Sequence, residues 1–351
     1  MTFVLVLAAE QVKYEDIRIA VPWGHLAGRW YGDRNTRPIL ALHGWLDNLG
    51  TWDTLLPLLP QHIGILCIDL TGHGYSSKFP KGLPYHALDY VNLIIRVMKE
   101  YKWQKVSLLT HSLSSLVAFT YTSLYPWTVD MLIAIDILIP EKNTPASVIK
   151  ALRTNSERLL VEVERAEKMA MHEPPTYSFE QLKQVLYEGS QGSVELDNSE
   201  HLLTRNIQKS PKYPDKYYFA RDARLKYYER FISWAPLHLE MAKRIKNVPY
   251  LLIKGSLSNM MKEDSGIIID LLRQNNPHFE YYEIEGTHHV HLNNPEACAA
   301  VINPFINMHR PAMPNTWCVD DDDETPMKST ESVGEERKKV KGRLCRLRSK
   351  L

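Results

Sequence analysis

Short, continuous apolar runs alternate with amphipathic stretches along most of the chain. Residues 17–21 alternate apolar and polar positions, Pro22 and Gly24 interrupt them, and residues 25–31 resume, which reads as two half-buried strands. Residues 39–42 and 63–68 are apolar at nearly every position, as in strands covered on both faces of a parallel sheet. Between them, residues 52–59 read as a short helix. Tyr90, Ile94, Ile95 and Met98 recur at helical spacing within residues 88–101. A buried strand is expected at 106–109, a helix at 113–124 and another strand at 131–135. This βαβα order predicts an α/β fold with a doubly wound, mostly parallel sheet and right-handed crossovers. From about residue 140 to 234 the pattern changes: helices are expected at 148–171 and 179–188, a loop at 189–199, and no buried strand. Strand signals return at 250–253 and 279–284, each followed by a helix. The expected organisation is a core over residues 15–139, an inserted helical cap over 140–234, the rest of the core over 235–310 and a tail over 311–351.

The tail differs in composition from the body. After Pro311 and Pro314 apolar periodicity stops, an acidic stretch runs from Asp320 to Glu324, and from Arg337 to Lys350 every charged residue is basic. Segregated charge with few large apolar groups predicts a disordered tail. Its last residues, Ser349, Lys350 and Leu351, match the tripeptide read by the peroxisomal import receptor. The expected location is therefore the peroxisome, with the cytoplasm as the alternative. The apolar opening, residues 2–9, has no basic residue before it, so a short strand or frayed end is expected there rather than a secretory signal.

Charge and cysteine usage narrow the classes further. Lys plus Arg is 42 and Asp plus Glu is 41, a near-balance that argues against a dedicated nucleic-acid binder. The same balance also argues against RNA or membrane association through the basic tail. Cys67, Cys298, Cys318 and Cys345 are too scattered for a disulfide framework or a zinc knuckle, which fits a reducing compartment. No apolar run reaches the roughly 18 residues that a membrane span needs. There is no Walker loop, no glycine-rich dinucleotide fingerprint after a strand and no set of spaced metal ligands, so no cofactor or metal is expected.

The chemistry concentrates at strand ends. In Thr110-His111-Ser112-Leu113-Ser114 a buried strand passes straight into a helix with a serine at the junction. Such a turn lifts the hydroxyl above the sheet edge, and the helix N-terminus offers backbone N–H groups, that of Leu113 first, to a developing oxyanion. Glycine usually occupies the outer two positions; here they are Thr110 and Ser114, of which the β-branched threonine needs more room. Alone, the serine could equally be a helix N-cap. Leu42-His43-Gly44-Trp45 closes an earlier strand, where a second oxyanion N–H, that of Trp45, would lie. Asp69 and Ser76 bracket a glycine-punctuated turn and are expected to hold it. Three histidines, His288, His289 and His291, follow the last strand, and one of them can drop beside the serine as general base.

This set resembles the α/β-hydrolase superfamily over residues 15–310. Val21-Pro-Trp-Gly-His-Leu-Ala-Gly-Arg-Trp30, Phe219-Ala-Arg-Asp-Ala-Arg-Leu225 and Gly286-Thr-His-His-Val-His-Leu292 are similar to the serine hydrolase-like family that includes the insect Kraken protein. The resemblance implies a Ser-Asp-His hydrolase with a helical cap. Ser112 matches the nucleophile and His288 the base. Most relatives carry the acid just after the strand at 250–253, where residues 255–258 hold no carboxylate; Glu263 and Asp264 come later, at the start of a helix. Some members supply it from the preceding strand, which here ends at Asp136. A carboxylate among apolar neighbours is costly unless paired, so Asp136 is the expected acid, with a cap for the insertion's first turn as its other reading. Aromatic residues of the cap's second half (Tyr213, Tyr217, Tyr218, Phe219, Tyr227, Tyr228, Phe231 and Trp234) are expected mostly to pack, and Arg221 and Asp222 to form an ion pair. The expected activity is hydrolysis of an ester or thioester of a small or medium acyl group. Loss of both elbow glycines, and of an acid after the strand at 250–253, motivates the alternative, a degenerate hydrolase that binds a ligand or partner.

Overall fold

The computed structural model describes residues 13–140, 144–169, 174–227, 234–261 and 264–312. Its centre is an eight-stranded sheet of β1 (Tyr14–Val21), β2 (Gly24–Tyr31), β3 (Ile39–Leu42), β4 (Ile65–Ile68), β5 (Val106–His111), β6 (Val129–Ile135), β9 (Tyr250–Gly255) and β10 (Phe279–Ile284). The spatial order is β1-β2-β4-β3-β5-β6-β9-β10; β1 and β2 are antiparallel, and every pair from β4 to β10 is parallel. The apolar runs serve two cores at once. Leu40, Leu42, Leu132 and Ala134 face one, with the helices α1 (Ala87–Glu100), α2 (Leu113–Leu124), α6 (Ala235–Arg244) and α7 (Asp264–Asn275). Ile39, Ala41, Met131, Ile133 and Ile135 face the other, with α9 (Pro295–His309). Two buried faces explain why these strands show no alternation.

The chain between β6 and α6 carries α3 (Pro145–Met169), α4 (Phe179–Gly189), α5 (Ser199–Asn206) and a hairpin of β7 (Ile207–Lys209) and β8 (Tyr217–Phe219). A last short helix, α8 (Val290–Asn293), precedes α9. Two expectations need correction. Residues 52–59 are no single helix but lie across two 3₁₀ turns, Leu49–Trp52 and Leu56–Leu58, because Pro57 has no N–H to continue a ladder. The inserted segment also contains α5 and the half-exposed hairpin, which its weak periodicity does not announce. Residues 170 and 171 of the expected helix 148–171, the apolar opening 2–9 and the import tripeptide Ser349, Lys350 and Leu351 lie outside the described residues. Among the described residues no helix is long and apolar enough to cross a membrane.

Candidate active site

Ser112 stands between β5 and α2 with φ at +54°, a left-handed conformation that costs a non-glycine residue about 1–3 kcal/mol. The turn is held by its own N–H, which donates to the Ile135 carbonyl at 3.0 Å, and by Ser115, whose hydroxyl donates to the carbonyls of Thr110 and Ile135. The two unusual elbow residues find partners. The Thr110 hydroxyl donates to the Ile133 carbonyl of the adjacent strand at 3.2 Å. That of Ser114 donates at 2.6 Å to the carbonyl of His43, joining the elbow to the turn after β3.

Three loops at one sheet edge then meet. The Ser112 hydroxyl lies 2.7 Å from Nε2 of His288, and Nδ1 of that ring lies 2.6 Å from Oδ2 of Asp136. A carboxylate only accepts, so Nδ1 carries the proton and Nε2 presents its lone pair to the serine. Asp136 is fully buried just past β6, with φ at +60°. It also accepts from the Gly255 N–H at 2.7 Å and from the Ser258 hydroxyl. The end of β9 thus contributes donors where a carboxylate was missing, and nothing in the sequence pointed to Ser258. Gly255 is required by packing as well: a β-carbon there would come within 2.3 Å of the Thr287 carbonyl, displacing the loop that carries His288. Burial lowers the His288 pKa from its ordinary value, against the hydrogen bond it donates to Asp136, which raises it.

The turn after β3 faces the elbow. Nδ1 of His43 donates to the Gly44 carbonyl at 2.8 Å and Nε2 accepts from the Leu70 N–H at 2.9 Å; burial depresses its pKa to about 4, so it stays neutral. Trp45 follows, its indole donating to the Leu225 carbonyl at 2.8 Å. Leu113 is the first residue of α2, where a backbone N–H has no intrahelical acceptor. Asp69 and Ser76 hold their turn as expected: Asp69 accepts from the N–H groups of Leu49 and Tyr75, and Ser76 donates to the Asp69 carbonyl.

His289 and His291 point elsewhere. His289 Nε2 lies 3.2 Å from Asp47, and His291 Nε2 lies 2.8 Å from the Thr51 hydroxyl. Asp222 pairs with Arg224 at 2.7 Å rather than with Arg221, whose Nη1 is buried with no hydrogen-bond partner among the described residues and whose pKa burial lowers to about 10. Tyr213 and Trp234, expected to pack, are exposed, while Tyr228 and Phe231 lie outside the described residues.

Residues 37–295 match the family model described as alpha/beta hydrolase fold. The chain is an α/β hydrolase. Curated relatives of this hydrolase refine the group: it is 35% identical over 298 residues to a probable serine hydrolase of Drosophila melanogaster, covering 84% of this chain and 88% of that one. It is 32% identical to serine hydrolase-like protein 2 of Homo sapiens, covering 83% and 93%. The α/β hydrolase therefore belongs to the serine hydrolase-like family. Among solved structures, the thioesterase domain from the curacin biosynthetic pathway shares the fold at a TM-score of 0.66 and 22% identity, covering 83% and 99%. E-2-(acetamidomethylene)succinate hydrolase does so at 0.62 and 19%, covering 84% and 100%.

Proposed function

We propose that this hydrolase cleaves an ester or thioester of a small or medium acyl group through Ser112, His288 and Asp136. The observation that carries the reading is the unbroken line from hydroxyl to imidazole to carboxylate, at 2.7 and 2.6 Å. Nε2 of His288 takes the Ser112 proton as the hydroxyl oxygen attacks the acyl carbon. Asp136 holds the imidazole in the required tautomer and stabilises the imidazolium. The N–H groups of Leu113 and Trp45 receive the oxyanion. His288 then gives its proton to the departing alcohol or thiol, and water releases the acyl group by the same steps in reverse roles. The nearby thioesterase fold supports a thioester as one substrate class and no more than that. The degenerate reading drew on the missing elbow glycines and the missing acid after β9; with Thr110 and Ser114 both hydrogen-bonded, Asp136 against Nδ1 of His288 and Ser112 in line with its base, catalysis is the better-supported one.

Labelling with a fluorophosphonate probe tests this. Wild type should label at Ser112 and the Ser112→Ala variant should not. Asp136→Asn should slow turnover by about 10⁴-fold. A folded wild type that never labels would overturn the proposal and favour a binding protein.

A further inference from the structure

Directly behind the nucleophile, a second group of side chains takes no part in those proton transfers. Asp47, His111 and His289 come from the turn after β3, the end of β5 and the loop after β10, and all three are buried. Oδ2 of Asp47 lies 3.4 Å from Nδ1 of His111 and 3.2 Å from Nε2 of His289. Nε2 of His111 sits 2.9 Å from the carbonyl oxygen of His288. A carbonyl only accepts, so Nε2 carries the proton, and Nδ1 of the neutral ring turns a lone pair toward the carboxylate. That nitrogen is fully buried and has no hydrogen-bond partner among the described residues. Two acceptors facing one another out of water call for a cation between them.

The spacing fits a metal ion. Bonds of about 2.0–2.2 Å at tetrahedral angles set ligand atoms about 3.3–3.6 Å apart; Asp47 Oδ2 lies 3.4 Å from the His111 nitrogen, inside that range, and 3.2 Å from the His289 nitrogen, just short of it. All three donor atoms lie within 4.8 Å of one another, so a point equidistant from them is at most about 2.4 Å from each, a few tenths of an ångström from zinc bonding distance. Each ring has an oxygen acceptor for its other nitrogen: the His288 carbonyl for His111, and the Ser193 hydroxyl, 2.7 Å away, for His289 Nδ1. Such outer partners are what fix a ligating histidine's tautomer. Gly44 keeps the approach open, since a β-carbon there would lie 2.9 Å from His111 Nδ1 and 3.0 Å from Asp47 Oδ2.

We propose that Asp47, His111 and His289 bind one first-row divalent transition-metal ion, zinc foremost, and that its occupancy slows hydrolysis at Ser112. Two imidazoles and a carboxylate select this class over magnesium or calcium, which prefer all-oxygen sites. The inhibitory half rests on the function proposed above. A cation held by His111, whose ring lies 4.6 Å from that of His288, opposes the imidazolium that the acylation step must form.

Metal-free full-length protein is titrated with zinc chloride by equilibrium dialysis and with cobalt(II), whose visible absorption intensifies in a four-coordinate site. Expected are one zinc per chain, an intensified cobalt band displaced by zinc, and binding weakened about 100-fold or more in His289→Gln and Asp47→Asn. Ser193→Ala, outside the ligand set, should weaken it about tenfold. Wild type that retains no zinc and leaves the cobalt spectrum unchanged overturns the site whether or not the variants fold. Binding untouched in a folded His289→Gln also overturns it. Ester turnover that does not fall as zinc fills the site overturns the inhibitory half. Zinc binding to a protein that never labels with fluorophosphonate keeps the site and rejects the hydrolase instead.

Discussion

Ser114 stands where a glycine is usual, and its hydroxyl binds the carbonyl that precedes Gly44. The side chain thereby replaces glycine's close packing with a directional link between the elbow and the facing turn. Ser114→Ala should lower unfolding free energy by about 1 kcal/mol, the value of one buried neutral hydrogen bond, read from a denaturant midpoint. At His288 the pKa lies below the ordinary 6.5 because burial disfavours the imidazolium more than Asp136 favours it. The base works when neutral, so the acid limb of kcat/KM should fall below pH 6.5 and activity should extend to mildly acidic pH. A limb above that value in a pH–rate profile would contradict the burial argument. Glycine at the elbow is a matter of space and backbone freedom; Thr110 shows that a β-branched residue fits when its hydroxyl finds the neighbouring strand's carbonyl.

Elements of the parallel sheet were legible because burial on both faces leaves runs such as Ile39–Leu42 uniformly apolar. The helix after Ser112 was legible to the residue, Leu113–Leu124. In the inserted segment α3 and α4 were legible from helical spacing, but α5 and the β7–β8 hairpin were not, and α5 takes its place from contacts with distant loops. Arg205 of α5 is the main one: Nε and Nη2 bind Oδ2 of Asp69 at 3.1 and 2.7 Å, both side chains being almost wholly buried. Arg205→Met leaves that carboxylate without its counter-charge and should cost about 3–5 kcal/mol, measured as a lowered denaturation midpoint. The side chains of Asn48 and Trp45 donate to the carbonyls of Leu202 and Leu225, tying the same segment to the turn beside the elbow. Nothing in a linear pattern of apolar spacing encodes such side-chain-to-backbone bonds.

At the scale of the whole molecule, the reacting groups come from the ends of β5, β6 and β10, and parallel order brings those C-terminal edges to one side. We propose peroxisomal delivery, which rests on Ser349, Lys350 and Leu351 alone. A fluorescent protein carrying residues 337–351 should enter peroxisomes and return to the cytosol when Leu351 is deleted; cytosolic fluorescence from both would reject it. The sequence by itself determined the order of the central strands and the helices between them from β5 onward, the strand-to-helix serine and the histidine-rich loop. Each of these is written in neighbouring residues, through burial periodicity or the tight turn that a junction imposes. Asp136 came from the resemblance, which allows the acid on the preceding strand, joined to the argument that a buried carboxylate requires a partner. The resemblance singled out His288 among three neighbouring histidines; tertiary structure alone decided that Ser258 and Gly255 serve Asp136 and that Asp47, His111 and His289 converge. Those choices depend on how separate loops approach across the sheet edge, at distances where a few tenths of an ångström decide hydrogen bonding or metal ligation, and spacing along a chain carries no such information.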